Sequence, residues 1–255
     1  MSQVLVEIGV DSVASAVAAE RGGASRLELC SSLSEGGLTP SVGLIEVARS
    51  AVTLALHVMI RPRAGDFCYD QHEFLAMQRD IDQAKKCGAH GVVFGILDAD
   101  AKVDVARTRQ LVECARPLSV NFHRAFDMAA DLFRALEEVS SAGVDRLLTS
   151  GGQPTATLGQ EAIAQVIKQA RGRIVIMPGS GVKPENAQSL VAATGAREIH
   201  ASLRTSLPSP MRYQNPRIAM GSGDPDGREY ARFIVREDDV RRLCQAVNPA
   251  ENRIS

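Results

Sequence analysis

The chain has no Cys-x-x-Cys pair, no long apolar run, no clustered histidines and almost no imbalance of charge. Each absence removes a class of protein. The five cysteines (Cys30, Cys68, Cys87, Cys114 and Cys244) are odd in number and show no paired spacing. A disulfide framework is therefore not expected, and a reducing cytoplasm is the expected location. The longest apolar run, Val52 to Ile60, contains His57 and is far too short to span a bilayer. The opening, Met1 to Glu7, has no basic region and reaches an acid at once, so no secretory signal is expected. With 29 basic and 30 acidic residues the formal net charge is −1. That balance offers no field to draw in nucleic acid or an anionic membrane, and neither is expected as a partner. The lysines are Lys85, Lys86, Lys102, Lys168 and Lys183, none inside an apolar run. A Schiff-base aldolase, which needs a desolvated lysine, is disfavoured. Without a His-x-His pattern, so is a zinc hydrolase.

What the sequence does have is a rhythm. Eight short apolar runs alternate with helical patterns. They end at Glu7, Cys30, Arg61, Asp98, His123, Ser150, Gly179 and Ser202. Continuous apolar runs signal strands buried on both faces, hence a parallel sheet covered by helices. Eight such units in 255 residues predict an α/β fold, a TIM-like (βα)8 barrel forming one domain over residues 1–255. Caps support the helices. Asp11 precedes the first. Thr39-Pro40 opens the second, with Pro40 in its first turn. Asp70 with Glu73 forms an acidic relative of the capping box, Asp104 opens the fourth, Asp131 lies in the first turn of the fifth, and Pro184 opens the seventh. A glycine, a small residue and two linkers precede the second, fourth, sixth and eighth runs, at Gly23, Gly88, Gly143 and Gly195, as if the chain were four double units. The rhythm then breaks. Residues 203–235 are expected to form an extended loop, in which Tyr230 to Val235 adds a short strand, before a final helix at 237–247.

Active faces of such barrels lie at the carboxyl ends of the strands, where these polar residues cluster. Strand alternation puts Arg26, Glu28 and Cys30 on one face, His57, Met59 and Arg61 on another, and likewise Asn121 with His123 and His200 with Ser202. Glu28, Arg61, His123 and Ser202 are therefore expected at the barrel mouth. A buried, satisfied ion-pair network would use the same residue types, but several strands converging on one face favour function. Arg61 and Arg63 flank a proline, an arrangement suited to two-point contact with a carboxylate or phosphate, although Arg63 would equally pair with Asp66. His123 is a candidate acid or base, with Asp127 to orient it. Thr149-Ser150 and the turn Gly179-Ser180-Gly181-Val182 supply backbone N–H groups to an anion, together with Ser202.

Glu28-Leu29-Cys30, Ser34 to Ser41, Met59 to Tyr69, Phe122 to Met128, Leu148 to Gly151 and Ser209 to Tyr213, taken in order, resemble the CutC family, named for copper homeostasis. The resemblance implies a TIM-like barrel and a cytoplasmic homo-oligomer, often a dimer. It also implies a copper-handling role in which cysteines bind cuprous ion, consistent with the softness of that ion. In the family the first strand often ends in a cysteine. Here that position is Gly9, so a two-thiol clamp is not expected and Cys30 alone remains, with Cys68, Met59 or His57 as substitutes. Cys87, Cys114 and Cys244 fall on helical patterns and read as packing residues.

Two functions follow. The family implies copper homeostasis through Cu(I) binding. The residues themselves suggest a barrel enzyme on a small phosphate- or carboxylate-bearing substrate, with Arg61, Arg63 and the Gly179 to Val182 turn on the anion and Glu28 and His123 moving protons. Whether the protein is catalytic at all stays open at this level.

Overall fold

The computed structural model describes residues 3–215, 217–218 and 230–249. Strands and helices alternate as the rhythm requires: β1 (Leu5–Val10), α1 (Val13–Arg21), β2 (Arg26–Leu29), α2 (Val42–Ala51), β3 (Ala55–Met59), α3 (Gln71–Lys86), β4 (Gly91–Phe94), α4 (Val105–Ala115), β5 (Ser119–Phe122), α5 (Leu132–Ser141), β6 (Arg146–Thr149), α6 (Gln160–Ala170), β7 (Val175–Pro178), α7 (Pro184–Thr194), β8 (Glu198–Ala201), β9 (Arg204–Pro208), β10 (Ala231–Val235) and α8 (Glu237–Val247). The first eight strands form one parallel sheet in which β8 pairs with β1, and β7 lies against β8 to close a TIM-like barrel. No helix is long and apolar enough to cross a membrane among the described residues.

The strands are buried on both faces, as apolar runs demand. Outward-facing Ile8, Leu27, Leu56, Val58, Val92, Val120 and Leu147 are sealed under the helices. Register brings inward-facing residues into layers: Glu7 sits opposite Arg26 and His200, and Gly9 opposite Glu28. These layers stack upward to the mouth. The four glycines of the repeating pattern (Gly23, Gly88, Gly143 and Gly195) all have positive φ. Each turns the chain out of a helix, which a side chain would resist.

Several caps differ from expectation by a residue or two. Ser12, not Asp11, caps α1, because its hydroxyl reaches Ser15 N–H. Ser41 caps α2, and Pro40 lies before the helix rather than in its first turn. Asp131 is itself the cap of α5, accepting from Phe133 and Arg134 N–H. Asp70 and Glu73 form a full capping box on α3. Asp70→Ala removes acceptors for His72 and Glu73 N–H. A loss of about 1 kcal/mol in urea unfolding is expected.

The extended loop is more ordered than the composition suggests. Leu203 leads directly into β9, which pairs antiparallel with β10 as a ribbon. The ribbon is tied to α1 where Val235 N–H donates to Ser15 Oγ. Residues 216 and 219–229 of that loop fall outside the described residues, as do 250–255. The final helix, 237–247, has the expected bounds and packs between α7 and α1.

Candidate functional site

A ring of buried charge underlies the mouth. Glu7, whose side chain is fully buried, accepts from Arg26 Nε and from His200 Nδ1 at 2.9 Å. Arg26 also donates to Glu198 at 2.6 Å, Glu198 accepts from Arg146 at 3.1 Å, and Arg146 donates to Ser119 at 2.7 Å. Every charge therefore has a partner of opposite sign. Burial alone would raise the Glu7 carboxyl, but Arg26, with His200 and His57, holds it far below the usual range. His57 lies beside Glu7 with Nδ1 unpartnered. Burial pushes it down to about 4, against the pull of Glu7, so it is neutral at pH 7.

From the layer of Glu7, His200 reaches up to the cavity. With Nδ1 held by Glu7, its Nε2 turns toward Glu28 Oε2, 3.9 Å away. Glu28 Oε2 in turn accepts from Cys30 Sγ at 3.6 Å, and Glu28 Oε1 has no partner. Burial, then the nearby Glu7 charge, raises the Glu28 carboxyl, while His200 opposes the rise. Burial disfavours a charged His200, yet Glu28 and Glu7 together hold its pKa above the ordinary imidazole value. Cys30, two residues beyond Glu28 along the chain, is fully buried and packs against Met59 and Val93. Burial and the neighbouring Glu28 push its thiol well up.

The opposite wall is built by β3 and β5. The guanidinium of Arg61 is spent largely on the backbone: Nη1 donates to Glu35 O (2.6 Å) and Gly37 O (3.2 Å), and Nη2 to Gly65 O (2.9 Å). It also lies 5.0 Å over the Phe67 ring. Arg63 pairs with Glu73 and with Asp66, outside the cavity. The two-arginine anion clamp expected from Arg61-Pro62-Arg63 is therefore not formed. Arg61 staples the loops that follow β2 and β3, and Arg63 anchors the start of α3.

His123 caps a short 3-10 helix, Arg124–Met128, and its Nδ1 accepts from Ala125 N–H at 3.1 Å. Its Nε2 is buried without a partner. The ring is wedged between Phe67, at 5.0 Å between centroids, and Gly95, where a Cβ would sit 2.6 Å from Nδ1. Burial first and Arg61 second push this imidazole down to about 3. Asp127 does not orient it. That carboxylate instead accepts from Arg124 Nε, Thr149 Oγ1, Ser150 N–H and Gly152 N–H. Thr149 and Ser150 are thus engaged with Asp127, rather than offered to a ligand.

Glu28, Arg61, His123, Asp127, Gly181 and Ser202 line one cavity of about 1010 Å³ over the barrel mouth. Arg63, Thr149, Ser150, Gly179 and Cys30 do not line it. Gly179 instead packs close to Leu148 and His200 behind the wall. Sequence reasoning placed His200 on the inward face but did not single it out, nor Glu7. Glu7, Glu28 and His200 form a group of potential metal-holding atoms within 4.8 Å of one another. The signal was an acid inside an apolar strand, at Glu7, and a histidine at the inward position of the eighth.

A family model described as the CutC family matches residues 4–205. A Chromobacterium violaceum protein named as family protein CutC is 48% identical over 246 residues, 96% of this chain and 99% of that protein. A mouse protein named copper homeostasis protein cutC homolog is 50% identical over 239 residues, 94% of this chain and 88% of that one. A crystal structure assigned to CutC from Streptococcus agalactiae superposes with a TM-score of 0.75 at 30% identity, covering 78% of this chain and 99% of that one.

Proposed function

This chain belongs to the CutC family, and on that premise we propose that it takes part in copper homeostasis by holding Cu(I) at the floor of the barrel mouth. We place it in the cytoplasm, where a reducing medium keeps both the cysteine and the copper reduced. The observation that carries the reading is the line Cys30 Sγ, Glu28 Oε2, His200 Nε2.

The donors suit a soft ion. Cys30 offers a thiolate once its proton leaves, Met59 a thioether beside it, and His200 an imidazole nitrogen. Gly9 removes the second thiol that the family resemblance would supply. A Cβ at Gly9 would lie 3.2 Å from His200 Nε2, so the imidazole reaches the place from which that thiol would start. Glu7 acts behind it. By accepting from Nδ1 it leaves Nε2 as the free nitrogen, the arrangement common behind metal-bound histidines. Burial of Cys30 keeps the thiol protonated until a metal displaces the proton, so uptake releases protons and strengthens with pH.

Titration of the reduced protein with Cu(I) against bicinchoninate tests this. One tight equivalent is expected. Cys30→Ser is expected to abolish tight uptake, and Glu7→Gln to weaken it roughly 10–100-fold. Equal affinity of the parent and Cys30→Ser would overturn the reading.

A further inference from the structure

The copper reading uses the β1, β2, β3 and β8 side of the mouth and leaves the β5 and β7 side unexplained. That side carries a prepared but unmatched hydrogen-bond donor. Ala125 N–H occupies His123 Nδ1, so the ring proton of the neutral imidazole sits on Nε2. Nε2 has no partner, although His123 is 4% exposed and lines the cavity. A buried polar group without a partner is rare and calls for an explanation. Phe67 and the absence of a side chain at Gly95 fix the ring, so the donor is aimed before any ligand arrives.

The turn between β7 and α7 provides a second grip. Ser180, Gly181 and Val182 line the cavity, and among the described residues none of their N–H groups donates to another group. Ser180 and Gly181 both have positive φ, at 77° and 71°, which turns the backbone as it enters α7. The N-terminus of α7 and Lys183 add positive potential on the same wall, where the acid of that first turn, Glu185, faces Arg242 at 3.9 Å. A neutral donor on one side and a cationic turn on the other fit a molecule with two different ends.

We propose that the barrel mouth binds a small carbonyl compound carrying a phosphate, whose carbonyl oxygen accepts from His123 Nε2–H and whose phosphate lies against the Ser180 to Lys183 turn. A neutral imidazole is suited to this work. It polarises a carbonyl oxygen without adding a charge that would pair with the phosphate instead. The site uses none of the proposed copper ligands.

Dihydroxyacetone phosphate and glycerol 3-phosphate share a phosphate and a three-carbon frame, and only the first has a carbonyl. The full-length, copper-free protein, labelled with 15N in histidine, is titrated with each. Dihydroxyacetone phosphate is expected to bind below about 1 mM and to shift the His123 Nε2 resonance, with glycerol 3-phosphate at least about tenfold weaker. His123→Phe is expected to erase the difference. Gly95→Ala, which keeps the histidine but displaces its ring, is expected to act like His123→Phe. Binding of neither compound at about 10 mM, or equal binding without a His123 shift, overturns the proposal. The wild-type shift decides the matter even if a variant fails to fold.

Discussion

Glu7→Ala is expected to lower the unfolding free energy by about 3–5 kcal/mol. Glu7 is the acceptor shared by Arg26 and His200, with His57 beside it, and its side chain is sealed from water. Truncation leaves Arg26 with Glu198 as its one carboxylate partner and His200 with no partner for Nδ1. The cost is dominated by buried polar groups left without partners, rather than by one lost attraction. Replacing Glu7 and Arg26 together by methionine is expected to recover part of the loss, because an apolar pair removes both desolvation penalties. Urea unfolding of the single and double variants checks this. A loss under about 1 kcal/mol for Glu7→Ala would contradict the network as described.

The second large effect is on acid stability. His57 and His123 have folded pKa values pushed down to about 4 and about 3, below the ordinary 6.5. Protonation favours the unfolded chain, so their stabilisation is complete above 6.5 and is lost as pH falls toward those folded values. Glu7, also depressed, stabilises above its ordinary 4.5 and loses that contribution on further acidification. His200 runs the other way. Its raised pKa stabilises below 6.5, and that contribution fades as pH rises through the folded value. Glu28, whose carboxyl is raised, gains as pH falls and partly offsets the loss, but two buried histidines lose their stabilisation across this window, so stability is expected to fall from pH 6.5 to 4. The His57 shift alone is worth roughly 3 kcal/mol. Urea midpoints measured across that window test this, and His57→Leu is expected to flatten the slope. A midpoint independent of pH from 7 to 4 would refute it.

The barrel was legible because its logic is local. Apolar runs, helix-ending glycines such as Gly88 and Gly195, and acids such as Asp70 and Asp104 each act within a few residues. Strand alternation then sufficed to bring Glu28, Arg61 and His123 to one cavity. Their roles were harder to read, because these depend on partners far away in the chain. Arg61 is claimed by carbonyls at Glu35 and Gly37, where a short 3-10 helix, Leu33–Glu35, bends over the mouth. His200 gains its orientation from Glu7, 193 positions earlier. The expectation that Asp127 orients His123 failed for a geometric reason. His123 ends a strand and turns its ring back to cap the next turn, while Asp127 is carried round to face Ser150. The arginine pair was misread because a surface acid three positions from Arg63 was weighed, and Glu73, ten positions away across a turn, was not.

The pairing of β1 with β8 has a consequence for the order in which this molecule is made. β1 keeps one edge bare until residues 198–201 emerge from the ribosome, and α1 waits longer still for α8. Asn248 then joins its amide to Val4, tying the residue just after α8 to the residue just before β1. Residues 5–10 therefore lack their full set of neighbours until residues 198–201 have been made, so the barrel closes late rather than strand by strand.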